Sequence, residues 1–199
     1  MAVLTSEPDL GGRRPGRFRW NALVLFAALF GVFTPKASAE RSVSSEYQVK
    51  AVFLFNFAQF VDWPARAFAK NDAPLVIGIL GDDPFGPYLD DLVKGEKVGA
   101  RPLVVRRVQR PEEIMESHIL FVSRSVASNL PRILGQLKGH SILTVSDVDN
   151  FNRLGGIVRL ATEAGKIRLK ISVEAAKAAD LTISSKILRP STIAQEDKN

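Results

Sequence analysis

Few side chains in this sequence are of a type and spacing that could do chemistry. Asp82 and Asp83 follow the apolar run Leu75–Leu80, Arg124 sits in Ser123-Arg124-Ser125, and Asp147 follows Ser146. Each of these three polar stretches closes a segment that reads as a buried strand. In an open parallel sheet, ligands bind beyond the carboxyl ends of the strands. Asp82, Asp83, Arg124 and Asp147 would there make a small polar pocket. Short polar residues at such positions also serve as helix caps and turn formers, a role compatible with lining a pocket. Arg153, beside Gly155-Gly156, suggests a weaker phosphate-binding alternative, although two glycines also simply free the backbone to enter a hairpin.

Other chemistries are not spelled out. An aspartate pair after a first strand brings response-regulator receivers to mind. The strand that should carry a phosphoacceptor aspartate instead ends Ser123-Arg124. No G-x-S-x-G, H-E-x-x-H or P-loop spacing is present. With no cysteine, thiolate metal sites and cysteine nucleophiles are excluded. Only His118 and His140 carry imidazole, so a transition-metal site would have to lean on carboxylates. The position of each histidine, at a strand start and in a turn, suits a structural role. We therefore expect no catalytic residue, no metal site and no cofactor.

The elements that must hold these residues follow from pattern. Residues 44–63 read as one helix, capped by Ser44 or Ser45 and stopped by Pro64. Phe53, Leu54, Phe57, Phe60 and Val61 form its main apolar stripe, while Val52, Phe55 and Trp63 lie off it among Gln48, Gln59 and Asp62. Leu75–Leu80 is continuously apolar, as in a strand buried on both faces. Asp83 and Pro84 open a helix reaching about Val93. Strands are expected at 103–108, 118–123 and 141–146, with a short helix at 111–113 and a longer one at 125–138. Two strands around Glu163-Ala164-Gly165 form a hairpin. Ser172 caps a helix to Ala179, a last helical turn follows, and residues 191–199 read as a mobile tail. This alternation predicts an α/β fold: a mostly parallel mixed sheet with helices on both faces and a C-terminal antiparallel hairpin.

The first 39 residues read differently. Arg13, Arg14, Arg17 and Arg19 precede the apolar run Trp20–Phe33, and Ala37-Ser38-Ala39 is an A-x-A site. That is a secretory signal peptide, with cleavage expected after Ala39; an uncleaved anchor is the alternative. The remainder, residues 40–190 plus the tail, is long enough for one domain with its own core. Without the leader's five basic and two acidic residues, 22 basic residues face 19 acidic ones. Nothing in that balance points to nucleic acid.

The blocks EYQVKAVFLFNFAQFVDWP, LVIGILGDDPFG, HILFVSRS, ILTVSD and GGIVRL…GKIRLKISVEAAKAADLTISSKIL resemble the YfiR-like family of periplasmic proteins, from about Glu46 to Leu188. The resemblance implies a periplasmic α/β domain that often dimerises. It also implies a regulator that binds the periplasmic sensor part of an inner-membrane protein, a diguanylate cyclase in the best-known case, and so lowers cyclic di-GMP and disfavours biofilm formation. A sensor kinase is the alternative partner. Redox control through disulfides, known in that case, is closed to a chain without cysteine. Many relatives carry Asn and Phe where this chain has Arg159 and Leu160. On this reading Phe55, Gln59, Asp62 and Trp63 are the candidate partner-binding residues, since interfaces favour aromatic anchors. The competing reading is a small-ligand receptor using Asp82, Asp83, Arg124, Asp147 and Arg153.

Overall fold

The computed structural model describes residues 44–109, 111–189 and 191–193. The signal segment and residues 194–199 of the tail lie outside them. Helix α1 spans Ser45–Phe60, and Ser44 caps it by accepting the Tyr47 N–H. Strands β1 (Val61–Asp62), β2 (Leu75–Leu80), β3 (Lys97–Val98), β4 (Arg101–Val108), β5 (Ile119–Val122) and β6 (Leu143–Ser146) follow in order. The chain closes with β7 (Val158–Glu163), β8 (Lys166–Ile171), β9 (Thr182–Ile183) and β10 (Thr192–Ile193). The other helices are α2 (Pro87–Val93), α3 (Pro111–Ile114), α4 (Leu130–Gln136), α5 (Val173–Ala178) and α6 (Ser185–Leu188).

Among the described residues the main sheet has the order β10-β8-β7-β6-β5-β2-β4-β3. Pairings from β4 through β2, β5 and β6 to β7 are parallel, and β7–β8 is the antiparallel hairpin with Glu163 opposite Lys166. The predicted fold class is the observed one. Alternate β5 side chains explain its uninterrupted apolar run. Ile119 and Phe121 join a core with α1 and α2, while Leu120 and Val122 join a second core with α4. A strand with both faces covered has no polar side to display.

Three local readings needed correction. The helix after Asp83 begins at Pro87, with Gly86 at the cap. Asp83 accepts instead from the Phe85 and Gly86 N–H groups, so it forms the turn that leads in. The expected 125–138 helix is a 3-10 turn over Arg124–Asn129 followed by α4, with non-helical angles at Val126. Pro131 accounts for the break, since it cannot donate to a preceding turn and is at home only in a first helical turn. Thr192–Ile193, read as tail, pairs with β8 in parallel.

The end of α1 also departs from the expected helix over 44–63, since α1 stops at Phe60. Its last residues turn into β1, which pairs antiparallel with β9, and the Ser184 N–H donates to Phe60 O. The C-terminal segment therefore grips the end of α1. Gly156 is required for packing rather than for turning: it has no positive φ, but a Cβ there would overlap the Phe151 ring, which is fully buried. Gly155 supplies the left-handed turn, at φ 96°.

Candidate functional site

The parallel register builds the centre of the molecule's polar chemistry. Val122 lies opposite Ser146, so the residues just beyond each strand, Arg124 and Asp147, meet side by side. The Arg124 guanidinium donates to the Asp147 backbone oxygen at 2.9 Å, and its Nε lies 3.2 Å from Asp147 Oδ1. That oxygen has no well-aligned hydrogen-bond donor; the approach is an ion pair rather than a hydrogen bond.

The remaining partners come from α1. Lys50 Nζ donates to Asp147 Oδ2 at 2.5 Å and lies equally close to Glu46 Oε1. The Tyr47 hydroxyl donates to the same Oδ2 at 2.9 Å, and the Lys50 ammonium also stands over the Tyr47 ring. Glu46 in turn accepts from the Thr162 hydroxyl on β7. Lys50 is 0 % exposed and Asp147 1 %. Two cations and two carboxylates thus balance beneath the first turns of α1, with Arg124 reaching them from the solvent side.

Burial by itself pushes the Asp147 carboxyl up. Lys50, then Tyr47 and Arg124, reverse this and hold it below the ordinary carboxylate value. The Tyr47 phenol is pushed up to about 12 by burial and by the Asp147 charge. Glu46 is held low, first by its bond to Lys50. Tyr47 therefore keeps its proton, and Asp147 keeps its charge but is enclosed by partners. The arrangement orients α1 on the sheet; it leaves no free nucleophile and no base facing an open space.

The predicted ligand residues are thus divided. Arg124 and Asp147 meet, but Asp147 is enclosed. Asp82 is exposed beside them, its N–H donating to Ser125 Oγ at 2.8 Å. Asp83 belongs to another set: the Arg107 guanidinium donates to it, to both Asp90 oxygens and to Gly86 O, clamping the start of α2. Arg107 is thereby raised above its ordinary pKa, chiefly by the bond to Asp90. Arg153 lies elsewhere, on the wall of a separate cavity. Sequence reading missed Glu46, Tyr47 and Lys50. The signal was there: Lys50 precedes Leu54 by four and Phe57 by seven, so a cation stands in the apolar stripe.

That stripe also lies differently from expectation. The buried face of α1 is Lys50, Ala51, Leu54, Phe57 and Ala58. Phe53 and Phe60 sit at its flank, half-buried, with Phe53 stacked on Phe57. The outward face is mixed: Val49 is 47 % exposed and Val52 38 %, with Ser45 and Gln59 also exposed and Asn56 half-buried. Among the predicted partner-binding residues, Gln59 and Asp62 are exposed, and Phe55 and Trp63 are half-buried against the core. Trp63 is further tied down, its indole N–H donating to His118 O at 3.2 Å.

His118 fastens this region. Its Nδ1 accepts from the Val76 N–H at 3.1 Å, its Nε2 lies 3.1 Å from Ala67 O, and its ring stacks on Phe68. Those partners require a neutral ring with the proton on Nε2. Burial lowers its pKa to about 4. Among the described residues no group of three or more His, Asp or Glu could hold a metal ion, and no helix is long and apolar enough to cross a membrane.

Fold and site together define a mixed α/β domain whose polar centre is internal and whose exposed large apolar side chains include Val49 and Val52 on the outer face of α1. Residues 47–192 match the family described as YfiR/HmsC-like, and the chain belongs to that family. It is a family of periplasmic regulatory proteins associated with cyclic di-GMP signalling. No curated protein matches the chain.

Proposed function

We propose that this protein is a non-enzymatic periplasmic regulator that acts by contact. Its partner is the periplasmic sensor part of an inner-membrane signalling protein, a diguanylate cyclase, and its effect is on cyclic di-GMP output. The observation that carries the reading is the outward face of α1. Val49 and Val52 are exposed there beside half-buried Asn56 and exposed Gln59, with half-buried Phe53, Phe55 and Phe60 at the flanks. Contiguous apolar surface edged by polar residues marks interaction sites, and half-buried aromatics make strong anchors.

The same helix is held from behind by the buried ion cluster and at its end by β1–β9. Such a surface is already rigid, so little ordering free energy is lost on docking. Regulation then needs only that the surface fit one state of the sensor better than another, which shifts the sensor's population.

The test is genetic and chemical. Deleting the gene should change cellular cyclic di-GMP, and the exported wild-type protein should restore it. Val52→Glu, exported at the same level, should fail to restore it. Full restoration by Val52→Glu, or unchanged cyclic di-GMP in the deletion strain, would refute the proposal. A second copy of the chain is the competing occupant of this face. Sedimentation of the purified domain as a dimer that Val52→Glu turns into a monomer would give the face to self-association instead.

A further inference from the structure

A cavity of about 550 Å³, whose lining shares no residue with the ion cluster beneath α1, opens between the end of α4, the turn at 153–155 and α5. The size lies within the range of small-molecule sites, about 300–1,000 Å³. Its floor is apolar: Leu134, Leu137, Ile142, Ile157 and the small side chains of Ala175 and Ala178. The alanines keep α5 from filling the space. Thr144 on the wall already accepts the Ile157 N–H, so it brings no unmet polar group. Leu154, 42 % exposed, stands at the mouth.

The charges at the rim are unbalanced. Lys138 and Arg153 face the cavity with His140, against the single carboxylate of Glu174. All four are exposed, and none is in an ion pair among the described residues. Among the other exposed arginines, Arg66 pairs with Asp180, Arg106 with Glu116, and Arg107 with Asp83 and Asp90, while Arg132, Arg168 and Arg189 have no ion pair among the described residues; what sets Lys138 and Arg153 apart is that both line one cavity. An apolar floor beneath two uncommitted cations suits a molecule with an apolar body and one anionic head.

We propose that this cavity is a binding site for a small amphipathic carboxylate. Its tail would lie over Leu137, Ile142 and Ile157, and its head between Arg153 and Lys138. A guanidinium can meet a carboxylate with two parallel hydrogen bonds, which makes Arg153 the main determinant of the head group. Glu174 disfavours a second negative charge, so monocarboxylates should be preferred over dicarboxylates. The site is independent of the α1 surface and stands whether or not that surface binds a sensor.

The experiment titrates the exported domain, residues 40–199, with octanoate, octylammonium and octanol while amide NMR spectra are recorded. Octanoate should give saturable shifts centred on Gly139, His140, Leu154, Gly155 and Ala178. Octylammonium should bind at least about tenfold more weakly, and Arg153→Gln with Lys138→Gln should weaken octanoate by about tenfold or more, the scale of a charged hydrogen bond. Both substitutions are on exposed side chains, and the spectrum itself reports whether the fold is kept. Octanoate shifts that do not saturate, that fall on α1 instead, or that persist unchanged in the double variant would overturn the proposal. So would octylammonium or octanol binding as tightly as octanoate.

Discussion

The inner and outer faces of α1 each depart from the usual division of apolar inside and polar outside. The face turned inward carries Lys50, Tyr47 and Glu46 to a buried aspartate. The face turned outward carries Val49 and Val52. The inner face does carry the apolar stripe of a helix that packs on its own domain, Ala51, Leu54, Phe57 and Ala58; the buried Lys50 within it is the departure. Here the inner face combines apolar packing with a geometric lock, because a buried ion pair tolerates few orientations. The outer face leaves Val49 and Val52 in water, which suits the proposed contact with another protein. On the proposed function, orientation is settled inside so that recognition can occur outside.

Breaking the inner face should have the largest effect. Lys50→Met leaves Asp147 charged and buried with its closest partner gone, a loss of about 3–5 kcal/mol. Urea denaturation should show it, and Lys50→Met combined with Asp147→Leu should recover part of the loss. Full stability in Lys50→Met would mean that the cluster does not hold the helix.

Acid should act in two windows. His118 titrates near 6.5 when unfolded and about 4 when folded, so the unfolded chain takes up its proton first. Stability is therefore complete above pH 6.5 and falls as the pH drops toward 4, by about 3 kcal/mol from this group. His118→Gln, which keeps a donor and an acceptor, should flatten that window. Asp147 is also held low when folded. Its contribution is present above its unfolded value, near 3.8, and disappears at lower pH as the folded carboxyl protonates. Stability that is level from pH 7 to 4 would contradict the burial assigned to His118.

A smaller loss is expected at Gly156→Ala, where the new methyl must displace the Phe151 ring; overpacking of this kind costs about 1–3 kcal/mol. On the outer face, Val52→Glu should change stability by no more than about 0.5 kcal/mol, as for ordinary surface substitutions. A thermal melt within that limit sharpens the contrast with Lys50→Met; a large loss would mean that the outer face is part of the core.

What could be read from the sequence divides along physical lines. β2, β5 and the β7–β8 hairpin announce themselves because their signals are local: an apolar run, or two short strands around Ala164-Gly165. Ser172 was legible as a cap for the same reason. The β1–β9 pair was not, because two-residue strands have no pattern of their own and form only when the C-terminal segment reaches the end of α1. The Lys50–Asp147 bond joins residues 97 apart in sequence. No spacing rule covers that distance; only the lone cation in an apolar stripe hinted at it. Arg124 and Asp147 were correctly placed together by strand-end reasoning. That reasoning could not foresee that α1 would bring its own lysine and close the site.

The most direct measurement is the affinity of the exported domain for the periplasmic domain of the proposed cyclase partner, taken alongside melting temperature for the wild type, Val52→Glu and Phe55→Ala. The account predicts at least about tenfold weaker binding by both variants, with Val52→Glu melting like the wild type. Equal affinities in all three proteins would contradict it.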